Sequence, residues 1–195
     1  MDKELSTHKE KYKTIYDHGC LNPDVHHRLV VELDKYTALA NVPARFIYQS
    51  ATNFCQPFEI EWAKKIASHI EDGDYGLMFN DKCKDLDDRL YGLAGLLIRN
   101  FVDARVYTVQ YILDMLADSD EIEGRVIIIP NFFLMKSMGG SLPAWKISSL
   151  LGFLMERYSK GLPTIVYIQQ LNHMGEEYGK AFKDHIENHF TVVPK

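Results

Sequence analysis

The chemistry-bearing residues of the chain concentrate in one stretch, Gly76 to Arg99, which reads GLMFNDKCKDLDDRLYGLAGLLIR. A short apolar run, Leu77-Met78-Phe79, opens it, and a polar loop from Asn80 to Asp88 follows. Apolar residues then recur at Leu90, Leu93, Ala94, Leu97 and Ile98, which is helical spacing. Strand, loop and helix in that order are the layout of a phosphate-binding loop. Such a loop needs glycines, so that its backbone N–H groups can wrap phosphate, and then Lys and Ser/Thr for charge and Mg²⁺. Laid over G-x-x-x-x-G-K-[ST], the chain supplies Asp81-Lys82-Cys83-Lys84-Asp85-Leu86-Asp87-Asp88. The length fits, but both glycines, the Lys and the Ser/Thr are replaced, and Asp87 and Asp88 stand in the last two positions. A helix N-terminus attracts anions through its free N–H groups and its positive dipole end. Asp85, Asp87 and Asp88 would satisfy that end from within and repel a triphosphate. The same carboxylates also read as ordinary residues of a solvated first helical turn.

Other chemistry is thinner. His18-x-Cys20 with His26-His27 has the ligand count for zinc but not two tight ligand pairs, so no metal site is expected. Cys83 lies between Lys82 and Lys84, where a free surface thiol is expected. No G-x-S-x-G or H-E-x-x-H pattern occurs. Candidate nucleic-acid contacts are Arg99, Arg105, Lys136 and Lys146, with Trp145 and Phe132 or Phe133 to stack on bases. A helix over Val25–Leu39 carries Leu29, Val30, Leu33 and Tyr36 at helical spacing; this face either fills a partner's groove or covers the core.

The chain has 195 residues, 46% of them hydrophobic, enough for one domain with an N-terminal extension. A formal net charge of −5 gives no global nucleic-acid signature. Three cysteines without C-x-x-C spacing suggest reduced thiols and a cytoplasmic protein. No run is long and apolar enough to span a membrane.

The elements that must position the loop follow from periodicity. Asn41–Pro57 holds two prolines and three aromatics and reads as extended, and Phe58–Ile70 as an amphipathic helix. After the strand–loop–helix come a strand at 105–109, a helix at 110–116 and a β-branched buried strand at 125–129. A loop at 131–143, a helix at 145–158 and a strand at 163–168 follow. A last helix near 176–190 and a terminal strand at 191–193 close the chain. Alternation of strands and helices predicts a parallel α/β fold.

From Val42 onward the pattern resembles the AAA+ domain of bacterial and phage helicase loaders of the DnaC/DnaI type, with the IstB-type transposition ATPases as relatives. The residues that carry the resemblance are Val42-Pro43-Ala44-Arg45-Phe46, the frame from Gly76 through Leu116, and Arg157-Tyr158-Ser159-Lys160-Gly161-Leu162-Pro163-Thr164-Ile165. The resemblance covers roughly three quarters of the chain. It implies a P-loop NTPase (AAA+/RecA-like) three-layer sandwich over 41–195, with no separate lid domain, preceded by an extension over 1–40. It also implies that the active residues are replaced one by one. Asp81, Asp87 and Asp88 occupy the phosphate loop. Pro130 and Asn131 stand where a Walker B strand ends in carboxylates, Gln169 at the sensor and His185 at the arginine finger. A finger needs a fixed charge, which a histidine near neutral pH does not supply. The expectation is therefore a pseudo-ATPase that takes no cofactor. It would bind a replicative helicase or another AAA+ replication protein, as a monomer or homodimer. A single-stranded-DNA-binding accessory role in replication or transposition is the alternative.

Overall fold

The computed structural model describes residues 2–135 and 142–194. Four helices come first: α1 (Asp2–Lys11), α2 (Lys13–Tyr16), α3 (Pro23–Val31) and α4 (Leu33–Ala40). Asn22 caps α3 by accepting from the Asp24 amide at 2.8 Å, and Pro23 takes the first helical position. The helix expected over 25–39 is broken at Glu32. Asn41, in the left-handed conformation, ends α4. The stretch read as extended instead forms α5 (Ala44–Tyr48) and a 3₁₀ turn at Ala51–Asn53. Next come α6 (Pro57–Lys64), α7 (Ile66–Asp72), β1 (Gly76–Phe79), α8 (Leu86–Arg99), β2 (Ala104–Val106) and α9 (Val109–Asp118). The chain closes with β3 (Val126–Phe133), α10 (Ala144–Ser159), β4 (Thr164–Ile168), α11 (Leu171–Tyr178), α12 (Lys180–His189) and β5 (Phe190–Val192).

The five strands are all parallel, in the order β2-β3-β4-β1-β5. Alternate side chains along each strand enter opposite layers, so the β-branched runs are buried on both faces. Leu77, Phe79, Val126, Ile128 and Ile165 join the core beneath α3–α6 and α8. Met78, Ile127, Ile129, Val166 and Ile168 join the core beneath α9–α12. The result is the expected three-layer α/β sandwich. Among the described residues, no helix is long and apolar enough to cross a membrane.

Two further expectations change. Leu29, Val30 and Leu33 are buried, and Tyr36 packs against the same core as β1 and α8. The apolar face of α3–α4 is spent on this chain's own core, so these four residues are not a free partner face. The loop expected to begin at Asn131 begins later, because β3 runs on through Pro130 and Asn131 to Phe133. A register shift between Ile129 and Phe133 accommodates the proline.

The segment that carries the strongest resemblance has a structural reason for its arginine. Arg157 is buried and donates Nε to Thr164 Oγ1 at 2.9 Å and Nη1 to the Gly124 carbonyl at 3.1 Å. Its Nη2 donates to the Arg125 and Pro163 carbonyls at 2.9 Å. It thus stitches the starts of β3 and β4 together. Burial pushes its pKa down to about 10, which still leaves it charged at neutral pH. Arg157→Lys keeps a charge but loses the planar fork, so about 2 kcal/mol of stability should go. The midpoint of urea denaturation measures this.

Candidate functional site

In this strand order the connection after β1 runs to one side of the sheet and that after β4 runs to the other. Ligands of open parallel sheets bind at such a reversal, outside the carboxyl ends of the strands. A cavity of about 360 Å³ lies at this point, walled by Asn80, Asp81 and Lys82 from the loop after β1 and by Gln169, Gln170 and Asn172 from the end of β4 to the start of α11.

The first three amides of the loop after Asn80 are used internally. The Asp81 amide donates to the Gln169 carbonyl at 3.4 Å, the Lys82 amide to Asn80 Oδ1 at 3.0 Å and the Cys83 amide to the Asn80 carbonyl at 3.0 Å. These are the groups a glycine-rich loop would turn toward phosphate. Asn80 folds the loop back on itself through an Asx turn, which a run without glycine can adopt. Asp85 takes the left-handed conformation and makes no side-chain cap to α8. Asp87 is exposed, and Asp88 pairs with Arg45 at 3.3 Å on the surface. Burial and the nearby Asp81 and Cys83 raise the Tyr167 hydroxyl pKa, so it too stays neutral beside the loop.

The neighbouring positions are occupied in the same structural way. Asn131 Oδ1 accepts from the Val109 amide at 3.1 Å and so holds the start of α9. Pro130 is half-buried within β3. Gln169 accepts the Met135 amide on its side-chain oxygen at 3.0 Å, and its own amide donates to the Phe133 carbonyl at 3.0 Å. One glutamine thereby ties the ends of β3 and β4 to the loop.

His185 is elsewhere. It lies in the last turns of α12, toward the amino ends of the strands, against Tyr158 and His189, with its Nε2 buried and unpartnered. Burial first and His189 second lower its pKa, so it remains neutral. It does not carry a finger's charge.

The nucleic-acid candidates are not brought together. Arg99 is buried and donates Nη1 to the Gln49 carbonyl at 2.7 Å. Arg105 is held by Asp103 at 3.0 Å and Glu123 at 2.6 Å. Phe132 and Phe133 are core residues and cannot stack on bases. Trp145 is exposed at the start of α10, with Lys146 Nζ 5.5 Å from its ring centre. Lys136 lies outside the described residues. Among the described residues, no cluster of three or more His, Cys, Asp or Glu side chains is placed to hold a metal ion. His26 is engaged through Nε2 with the Arg99 carbonyl at 3.0 Å.

One pair escaped the sequence reading altogether. Arg89, in the first turn of α8 just past the loop, is buried and bonds through Nε to Glu59 Oε1 of α6 at 2.8 Å, with Nη2 on the same oxygen. Nothing in either local pattern marks residues 30 positions apart as an ion pair.

The fold has a known counterpart. The structure superposes on AMPPCP-bound DnaA from Aquifex aeolicus with a TM-score of 0.51 and 7% identity. The match covers 74% of this chain and 49% of that one, so the chain spans about half the length of that protein. At such identity the likeness shows a shared parallel α/β fold and nothing finer. No protein-family profile matches the chain, and no curated protein matches it by sequence.

Proposed function

We propose that the chain is a non-catalytic AAA+-like protein that acts by binding a partner in DNA replication, a replicative helicase or another AAA+ protein. The observation that carries the non-catalytic part is the internal use of the loop amides of Asp81, Lys82 and Cys83. A triphosphate would have to break those bonds and meet Asp87 where the motif has its lysine. The places of the metal carboxylate and the sensor hold Asn131 and Gln169, both engaged in bonds within the fold. Losing the charges that stabilise a phosphoryl-transfer transition state costs orders of magnitude in rate. The partner class rests on the resemblance to helicase loaders.

Calorimetric titration with ATP and with ADP, each with Mg²⁺, is expected to show no binding tighter than about 1 mM, about −4 kcal/mol. Micromolar binding, or turnover abolished by changing residues 80–85, would sink the non-catalytic reading. Pulldown against the cognate replicative helicase tests the partner separately, and recovery of nothing argues against it. A second reading, binding of single-stranded DNA, is favoured only by the exposed Trp145 beside Lys146. Under it, filter-retained DNA falls steeply with salt and drops on Trp145→Ala.

A further inference from the structure

The first helix, α1, is held to the rest of the chain by little apolar surface. Its sequence, DKELSTHKEK, is largely charged or polar. Of residues 4–11 only His8 is buried and Leu5 half-buried, and the rest are exposed. A helix of 10 residues is marginal in water on its own backbone bonds, so its contact with α3 decides whether it stays. That contact is centred on His8. Its imidazole lies against the His27 ring of α3, with ring centres 3.9 Å apart, and beside the Tyr12 ring at 4.8 Å. Its Nε2 is 2.7 Å from the hydroxyl of Tyr16, which is also buried.

This packing suits two neutral imidazoles and opposes two charged ones. Like charges at that separation repel, and the buried one also loses its hydration. The titratable and charged groups around His8 are Lys11 and Glu4 of α1, Tyr12 and Tyr16 from the residues that follow, and His27 of α3. Lys11 adds to the positive charge. Burial raises the Tyr16 pKa, so its hydroxyl stays neutral. Glu4 lies one turn before His8 and Asp24 one turn before His27. Neither pairs with these rings: among the described residues the histidines in ion pairs are His69 and His173. Arg28, the next charge along α3, is turned to Glu32.

Burial first, then His27 and Lys11, hold the His8 pKa below its ordinary value of 6.5. Once undocked, the ring takes its proton at the ordinary value, so release of α1 takes up a proton. Docking is therefore at full strength above 6.5 and weakens as the pH falls through that value.

We propose that α1 is an acid-released arm. It is docked on α3 at neutral pH and lets go when His8 and His27 gain protons, baring Tyr16 and the face of α3 around His27. The device is independent of the loop at residues 80–85 and of any partner bound at the strand ends.

Amide hydrogen exchange of the full chain at about pH 7.5 and about pH 5.5, each corrected for intrinsic exchange, tests it. Residues 4–11 are expected to lose protection at the lower pH, about 10-fold for each unit by which docking depresses the His8 pKa. Protection of β1, β3 and β4 should not change. His8→Phe keeps a ring in the site but has no proton to gain, so α1 should stay protected at both values. If loss of the Tyr16 bond undocks that variant at both values, His27→Phe decides. It leaves the bond to Tyr16, keeps a ring against His8 and removes the second charge, so the acid-induced loss should shrink. The proposal is overturned by a wild-type arm that is equally protected, or equally open, at both values. A His8→Phe arm still released by acid, or a His27→Phe loss as large as the wild type's, overturns it as well.

Discussion

Gly95→Ala is expected to destabilise the protein by about 2–3 kcal/mol, the upper range for overpacking, although the same change helps most helices by about 1 kcal/mol. Gly95 lies in the middle of α8, where α5 crosses it. A Cβ there would stand 2.1 Å from the Phe46 carbonyl oxygen and 2.4 Å from its carbonyl carbon. Both are backbone atoms of a short helix, so no side-chain rotation relieves the clash. Either α5 moves off the helix or α8 shifts and carries the loop at 80–85 with it. Phe46 and Ile47 are buried by this crossing, so displacement also exposes apolar surface. Gly152→Ala supplies the control, because Gly152 is helical and exposed, and a Cβ there would meet nothing within 4 Å. It should stabilise by about 0.5–1 kcal/mol. Denaturant midpoints of the two variants, moving in opposite directions, measure the packing term apart from the propensity term. Equal gains in both would mean that α5 is not seated on α8.

The same crossing shows what a sequence can and cannot say. Leu90, Leu93, Ala94, Leu97 and Ile98 announce an amphipathic helix, and α8 is there. The glycines between them announce nothing until α5 is known to lie across Gly95 and Phe54 and Cys55 against Gly92. Periodicity likewise finds the apolar face of α3–α4 but not its cover. Leu29, Val30 and Leu33 could face a partner as readily as a core, and only the packed chain shows that the core takes them. Strand order was partly legible, since β-branched runs separated by helices imply parallel pairing. The strand end at Pro130 was not, because a bulge lets a proline remain inside β3. At the candidate site, the loss of glycine and lysine from residues 81–88 is plain in the sequence. That Asn80 and Gln169 take up the loop amides depends on residues 89 positions apart meeting at the strand ends. His185, set at the finger position by pattern alone, packs in the structure against Tyr158 and His189.

Glu59→Leu alone is expected to cost about 3–5 kcal/mol, the usual cost of breaking a buried ion pair from one side. Glu59 and Arg89 are both buried, and the pair joins α6 to the first turn of α8. Removing the carboxylate leaves a guanidinium over the Phe79 ring, and among the described residues its remaining hydrogen-bond partner is the Pro194 carbonyl, at 3.4 Å. Water cannot enter to solvate it without opening the α6–α8 contact. Desolvation of an unpaired charge therefore outweighs the apolar gain from leucine. The pair is also imperfectly satisfied, for both arginine bonds fall on Oε1 while Oε2 has no partner. That predicts a strong non-additivity. Glu59→Leu with Arg89→Met removes both charges and fills the space with similar volume. The double variant should recover most of the loss, as replacement of buried pairs by apolar residues often does. Because Arg89 sits one turn past Asp85, the two single variants should also loosen the loop. Faster amide hydrogen exchange at residues 80–88 than in the double variant would report it. Additive losses across the cycle would mean that the two side chains do not pair in solution, and α6 would then owe its place to its apolar contacts, Phe58, Ile60, Trp62 and Ala63.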